Sequence, residues 1–120
     1  MYFELEEHLG TAWAPNVDVC ERAAEIVVFV ELPGLDRDDL RISWRDGVLS
    51  ITGQKRRQPP ESGIARYLCV ERTYGPFRRD IAVHLRVDYS RGFAKLENGL
   101  LQIHLPKETS KPVEVVIPIS

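Results

Sequence analysis

The sequence predicts an all-β sandwich. Three observations carry that reading: two Asn/Asp-Gly pairs flanked by alternating apolar residues, short strand-like runs at regular spacing, and no long segment with a helical period. At 120 residues the chain has room for a single two-layer core and not for a second one.

Asn98-Gly99 is the strongest turn signal, because both central positions of a type I′ turn take positive φ. With that pair as the turn, Leu96 stands opposite Leu101 and Ala94 opposite Ile103, while Lys95, Gln102 and His104 point the other way. Asp46-Gly47 repeats the logic, setting Trp44 opposite Leu49 and Ile42 opposite Ile51. Extended by the same alternation, strands are expected at 16–20, 26–32, 40–44, 48–52, 65–72, 77–83, 93–97 and 100–105.

Pro33-Gly34 reads as a turn in which Pro sets φ and Gly takes the positive value, followed by a polar connection through Asp36, Asp38 and Asp39. Residues 54–63, with Pro59-Pro60 and Ser62-Gly63, disfavour both helix and central strand and predict a long flexible loop. A polar linker at 108–112 leads to an apolar tail with no turn partner.

The composition also excludes. Sixteen basic against eighteen acidic residues give a net charge of -2, without the electrostatic footprint of a nucleic-acid binder, and Lys55-Arg56-Arg57 reads as a solvated loop. No apolar run approaches the roughly 20 residues of a membrane span, and the N-terminus carries Glu4, Glu6 and Glu7 in place of a basic leader, so a soluble, cytoplasmic protein is expected. Cys20 and Cys69 lack the spacing of a disulfide scaffold or a zinc knuckle and are expected reduced and packed. His8, His84 and His104 have no ligand-spaced companions, so no metal site is expected. No phosphate-binding loop or nucleophile elbow occurs, and the three aspartates lack the glycine and glutamate of a calcium loop. No catalytic residue and no cofactor are expected.

The order Ala94, Asn98, Gly99, Leu101, then Leu105-Pro106-Lys107 resembles the signature of the α-crystallin domain of small heat shock proteins of the bacterial type. Pro15 to Val19 resembles that domain's first strand, and Phe29 to Gly34 followed by Leu40, Ile42, Leu49, Ile51 and Gly53 resembles its second block. Val70 to Arg79 is similar to the segment in which a Gly, an aromatic and an Arg precede a core strand, with Arg79 on the family's arginine. Val83-His84 stands where the family commonly has Leu-Pro, so the exit from that strand is expected to differ.

The resemblance runs from residue 14 to the C-terminus. It implies an immunoglobulin-like β-sandwich at 14–107, a short N-terminal arm at 1–13 and a C-terminal extension at 108–120. It further implies an ATP-independent chaperone, a holdase for unfolding client proteins, assembled from strand-swapped dimers into larger homo-oligomers.

Ile117, Pro118 and Ile119 resemble the family's C-terminal anchor. Pro118 fixes an extended φ, so Ile117 and Ile119 project to the same side. An end strand of the chain's own sheet is the alternative. Ile64, Ala65, Arg66, Tyr67, Leu68, Cys69 and Val70 match the family strand that crosses to a partner and pairs with its first strand, here Asn16, Val17, Asp18, Val19 and Cys20. That pairing would bring Cys69 near the partner's Cys20. A disordered loop with no swap is the alternative.

In the arm, Tyr2, Leu5 and Leu9 fall at helical spacing, with Phe3 and Trp13 nearby. A short amphipathic helix meeting client surface and packing on the chain's own domain or a neighbour are equal alternatives. The competing function is a monomeric CS-domain-like co-chaperone or interaction module, for which the long loop and apolar tail have no purpose. An enzyme or a sugar-binding sandwich would need a concave polar site, and no pattern in the sequence marks one.

Overall fold

The computed structural model describes residues 13–57, 59–109 and 116–120. Seven strands form two antiparallel sheets. In chain order they are β1 (Val17–Glu21), β2 (Glu25–Glu31), β3 (Leu40–Arg45), β4 (Val48–Lys55), β5 (Gly75–Ala82), β6 (Phe93–Glu97) and β7 (Leu100–Pro106). One sheet has the order β1-β2-β7-β6 and the other β3-β4-β5.

Both two-residue turns form as their chemistry dictates. Asp46 and Gly47 take φ of 50° and 79°, and Asn98 and Gly99 take 51° and 76°. These values fix the registers Trp44↔Leu49 and Ile42↔Ile51 in one sheet and Leu96↔Leu101 and Ala94↔Ile103 in the other. A third turn docks on the second, because Gly34 has a φ of 80° and the Leu32 N–H donates to the Gly99 carbonyl at 2.7 Å.

The core lies between the sheets. Ile26, Val28 and Val30 of β2 and Leu101, Ile103 and Leu105 of β7 meet Leu49 and Ile51 of β4 and Phe77 and Ile81 of β5. Each set occupies alternate positions of its strand, the period of a half-buried sheet. Phe77 lies over Gly53, where a Cβ would come within 2.6 Å of its ring.

Three expectations need correction. Residues 65–72 form no strand in the chain by itself, since an extended segment without a neighbour has no ladder to join. β4 runs to Lys55 rather than stopping at 52, because β5 starts early enough to pair Gly75 with Lys55. Cys20 and Cys69 are both exposed instead of packed, the first on the outer face of β1 and the second on the long connection. His104 does point away from the core, yet it is buried: Phe93 stacks on its ring at 4.6 Å and its Nδ1 lies 3.1 Å from Glu25 Oε2. After β5 the chain turns inward at Val83, whose N–H donates to the Gly47 carbonyl.

Candidate protein-docking groove and open sheet edge

Two sheets of four and three strands have four edges, and they are treated differently. The edges β3 and β6 face each other and leave a groove of about 660 Å³ between them. Its apolar lining comes from Leu40 and Ile42 on one side and from Ala94, Leu96 and Leu101 on the other, and Asp36, Arg37, Lys95 and Glu97 rim it. Ile42 and Ala94 continue into a second hollow of about 280 Å³ beside Trp44, Tyr89 and Phe93. Trp44 and Tyr89 stack there. Burial, reinforced by the Glu108 charge, pushes the Tyr89 phenol up to about 12, so this wall stays neutral. The family-signature residues Ala94 and Leu101 thus line the groove, and Asn98 and Gly99 form the turn at its end.

The β5 edge is guarded. Trp13 makes a parallel bridge to Phe77, its ring centroid sits 4.8 Å from that of Phe77, and its Nε1–H donates to the Gly75 carbonyl at 3.1 Å. Pro76 has no N–H to offer, and Arg78 and Asp80 pair along the same strand at 3.2 Å. Arg79 lies between them, partly buried, opposite Ile51.

The β1 edge is open. Val17 and Val19 pack inward against the core, Asp18 and Cys20 point outward, and no described strand lies beyond them. Exposed β edges of this kind template further pairing. The segment from Ile64 to Val70 belongs to neither sheet and leaves its apolar side chains exposed: Ile64, Tyr67 and Val70 are about half exposed and Leu68 is 85% exposed. Ala65, Arg66 and Cys69 are exposed as well.

At the C-terminus, Ile117 and Ile119 are 79% and 98% exposed, and residues 116–120 join no strand. Pro118 between them is exposed too. Of the arm residues, Trp13 is packed on its own domain, whereas Tyr2, Phe3, Leu5 and Leu9 lie outside the described residues. Sequence reasoning missed the groove itself, because its walls come from two strands far apart in the chain. The only sequence signal for it was the pair of signature residues that turn out to line it. Among the described residues no helix is long and apolar enough to cross a membrane, and no three His, Cys, Asp or Glu side chains cluster as metal ligands do.

A two-sheet β-sandwich with a seam groove and an apolar arm is the architecture of an α-crystallin domain. The family model for the Hsp20/alpha crystallin family matches residues 18–120. Heat shock protein 16 of Schizosaccharomyces pombe is 33% identical over 109 residues, covering 85% of this chain and 75% of its own length. The 22.0 kDa heat shock protein of Arabidopsis thaliana is 35% identical over 112 residues, covering 92% of this chain and 57% of its own. Among solved structures, heat shock protein 16.0 from Schizosaccharomyces pombe superposes with a TM-score of 0.74 at 32% identity, over 90% of this chain and 99% of that one. A small heat-shock protein from Xylella fastidiosa, described as having a distinct high order structure, gives 0.76 at 28% identity over 91% and 100%. The chain belongs to the Hsp20/alpha crystallin family, the small heat shock proteins, a family of stress-response chaperones and not of enzymes.

Proposed function

We propose that the protein is an ATP-independent holdase, assembled as strand-swapped dimers that Ile117, Pro118 and Ile119 link into larger homo-oligomers. One observation carries this reading: the chain has an apolar groove open along its seam and, on the same chain, two isoleucines left in solvent on a proline-stiffened segment. In an extended strand the two side chains sit on one side about 6.6 Å apart, at ~3.3 Å per residue. Burying both is worth roughly 3 to 6 kcal/mol, at ~1.5 to 3 per side chain. Association costs of ~4 kcal/mol or more offset most of that. A single anchor is therefore weak, while several per particle hold by effective concentration and still exchange. Release of the anchor uncovers an apolar groove, and an uncovered apolar surface is what an unfolding client meets.

The dimer follows from the open β1 edge and the unpaired arm at 64–70. Adding the arm of one chain to the edge of another satisfies both sets of backbone groups.

The test measures light scattering from a heat-unfolding client, with and without ATP, alongside particle size for the wild-type chain and the Ile117→Ala/Ile119→Ala variant. Suppression independent of ATP is expected, together with a double variant that stops at dimers. Suppression that needs ATP would overturn the holdase reading, and an unchanged particle size would overturn the anchor. A version lacking residues 1–12 locates the client surface: full suppression by it assigns client binding to the sandwich, and lost suppression assigns it to the arm.

A further inference from the structure

We infer that Cys20 and Cys69 form an oxidant-driven interchain disulfide site that clamps the arm of one chain to the β1 edge of its neighbour. The inference rests on the swapped-dimer reading and goes beyond it, since the swap needs no cysteine.

The argument is one of face parity. On β1, Val17 and Val19 pack into the core, so Asp18 and Cys20 occupy the outer face of the sheet. Beside that edge a small cleft is lined by Val19, Cys20, Glu21, Ile26, Val83 and Leu85, of which Val19, Ile26, Val83 and Leu85 belong to the core or pack against it. In the arm, successive side chains of an extended segment alternate sides. Ile64, Arg66, Leu68 and Val70 share one face, and Ala65, Tyr67 and Cys69 share the other. A strand laid against β1 extends the four-stranded sheet, and burial favours the face that carries three branched aliphatics over the cleft and Leu85. Cys69 is then on the outer face, the face of Cys20. This holds whether the added strand runs parallel or antiparallel, because parity does not depend on direction.

Register narrows it further. β1 is five residues long and presents only Asp18 and Cys20 outward. An outward residue of the arm that falls opposite the middle of β1 faces one of these two. Directly opposite side chains in a β pair have Cβ atoms about 4.5–5.5 Å apart, and the closer, non-hydrogen-bonded pairs come within a small adjustment of the roughly 3.5–4.5 Å a disulfide spans. Both thiols are exposed in the single chain, so an oxidant reaches them before or after pairing.

The chemistry needs a two-electron oxidant, here a hydroperoxide. One thiolate attacks the peroxide oxygen, the O–O bond breaks, and a sulfenic acid and one water result. The second thiolate attacks that sulfur, the S–O bond breaks, and the hydroxide leaves as a second water once protonated. Two thiols and one hydrogen peroxide thus give one disulfide and two waters. A symmetric swapped dimer carries two such bridges, and a thiol reductant reverses both.

The experiment treats the full chain, Cys20→Ser, Cys69→Ser and an equimolar mixture of the two variants, incubated to exchange subunits, with hydrogen peroxide. Non-reducing gels and peptide mass spectrometry read the products. The wild-type chain should give a reducible covalent dimer containing a Cys20–Cys69 peptide. Each variant alone should lose it, and the mixture should regain it, because one chain then supplies Cys20 and the other Cys69. Bridges of Cys20 to Cys20 or Cys69 to Cys69, a bridge within one chain, or no bridge in a protein that is dimeric by light scattering would each overturn the inference while leaving the swap intact. A reduced protein that is monomeric at all concentrations would overturn the swap and the disulfide together.

Discussion

The hairpin of β6 and β7 and the arm at 64–70 are both apolar, β-prone stretches, and they have opposite fates. In the hairpin, Asn98-Gly99 reverses the chain within two residues, so each strand finds the other at once and β7 then pairs with β2. The arm follows a turn at Ser62-Gly63, but no described strand lies across that turn to pair with it. Pro59-Pro60 precedes it, and its apolar side chains stay in solvent. The difference shows that strand propensity is a disposition and that a ladder partner realises it.

Removing the arm is the most severe way to break this comparison. Lys55 and Gly75 are register partners, so a short Gly-rich turn can replace 57–73 and close β4 onto β5 directly. The shortened chain should fold with an unchanged far-ultraviolet circular dichroism spectrum and sediment as a monomer at every concentration. A dimer of the same size as before would place the interface elsewhere.

Paired alanine substitutions sharpen it next. Leu101 is 3% exposed and Leu68 is 85% exposed. Leu101→Ala should cost about 2 to 5 kcal/mol of folding stability by urea denaturation, the range for a buried leucine. Leu68→Ala should change the stability of a monomeric chain by less than about 0.5 kcal/mol and instead shift the dimer dissociation midpoint on dilution. Equal effects on folding would mean the arm is packed.

The glycines of the two regions form a subtler contrast. A Cβ at Gly99, at a φ of 76°, would sit 3.0 Å from the Pro33 Cα, whereas at Gly63, at a φ of 92°, it meets nothing within 4 Å. Gly99→Ala should cost about 1 to 3 kcal/mol. Gly63→Ala should cost less, because its loop can relax.

The smallest effect is titrational. The His104 hydrogen bond, helped by Arg22, holds the Glu25 carboxyl below its ordinary value of 4.5. A carboxylate whose folded value is depressed adds stability that is fully present above 4.5 and fades as pH falls through the lowered value. The thermal midpoint of His104→Leu should therefore fall less steeply than that of the wild type below pH 4.5, a difference readable by calorimetry. Parallel curves would show that the pair contributes nothing to acid sensitivity.

How much was legible follows the same divide. The turn pairs carried their registers in the sequence because a two-residue loop leaves the flanking strands one way to meet. The sandwich followed from their alternation. What lay hidden depended on groups far apart in the chain: the burial of His104 needs Phe93 and Glu25 around it, Trp13 needs the Gly75 carbonyl, and the groove needs β3 and β6 to end side by side. The long connection at 54–63 was legible from its prolines and glycine, but the extension of β4 into it, through the pairing of Gln54 and Lys55 with Pro76 and Gly75, was not. The 3₁₀ turns at Arg37–Asp39 and Tyr89–Arg91 escaped notice because three residues are too few to set up a helical period.

The open edge of β1 has a consequence for how an assembly ends. A molecule that carries both an acceptor edge and a donor strand can exchange strands reciprocally with one neighbour, which closes, or hand its strand to a second molecule that hands its own to a third, which does not. In the strand-swapped assembly proposed above, the reach of the tether between β4 and β5 decides between the two outcomes, since a donor able to come back to the chain that serves it completes a ring of two with neither donor strand nor acceptor edge unused. In that proposed assembly, tether length is a termination device, the difference between a finite particle and a fibre.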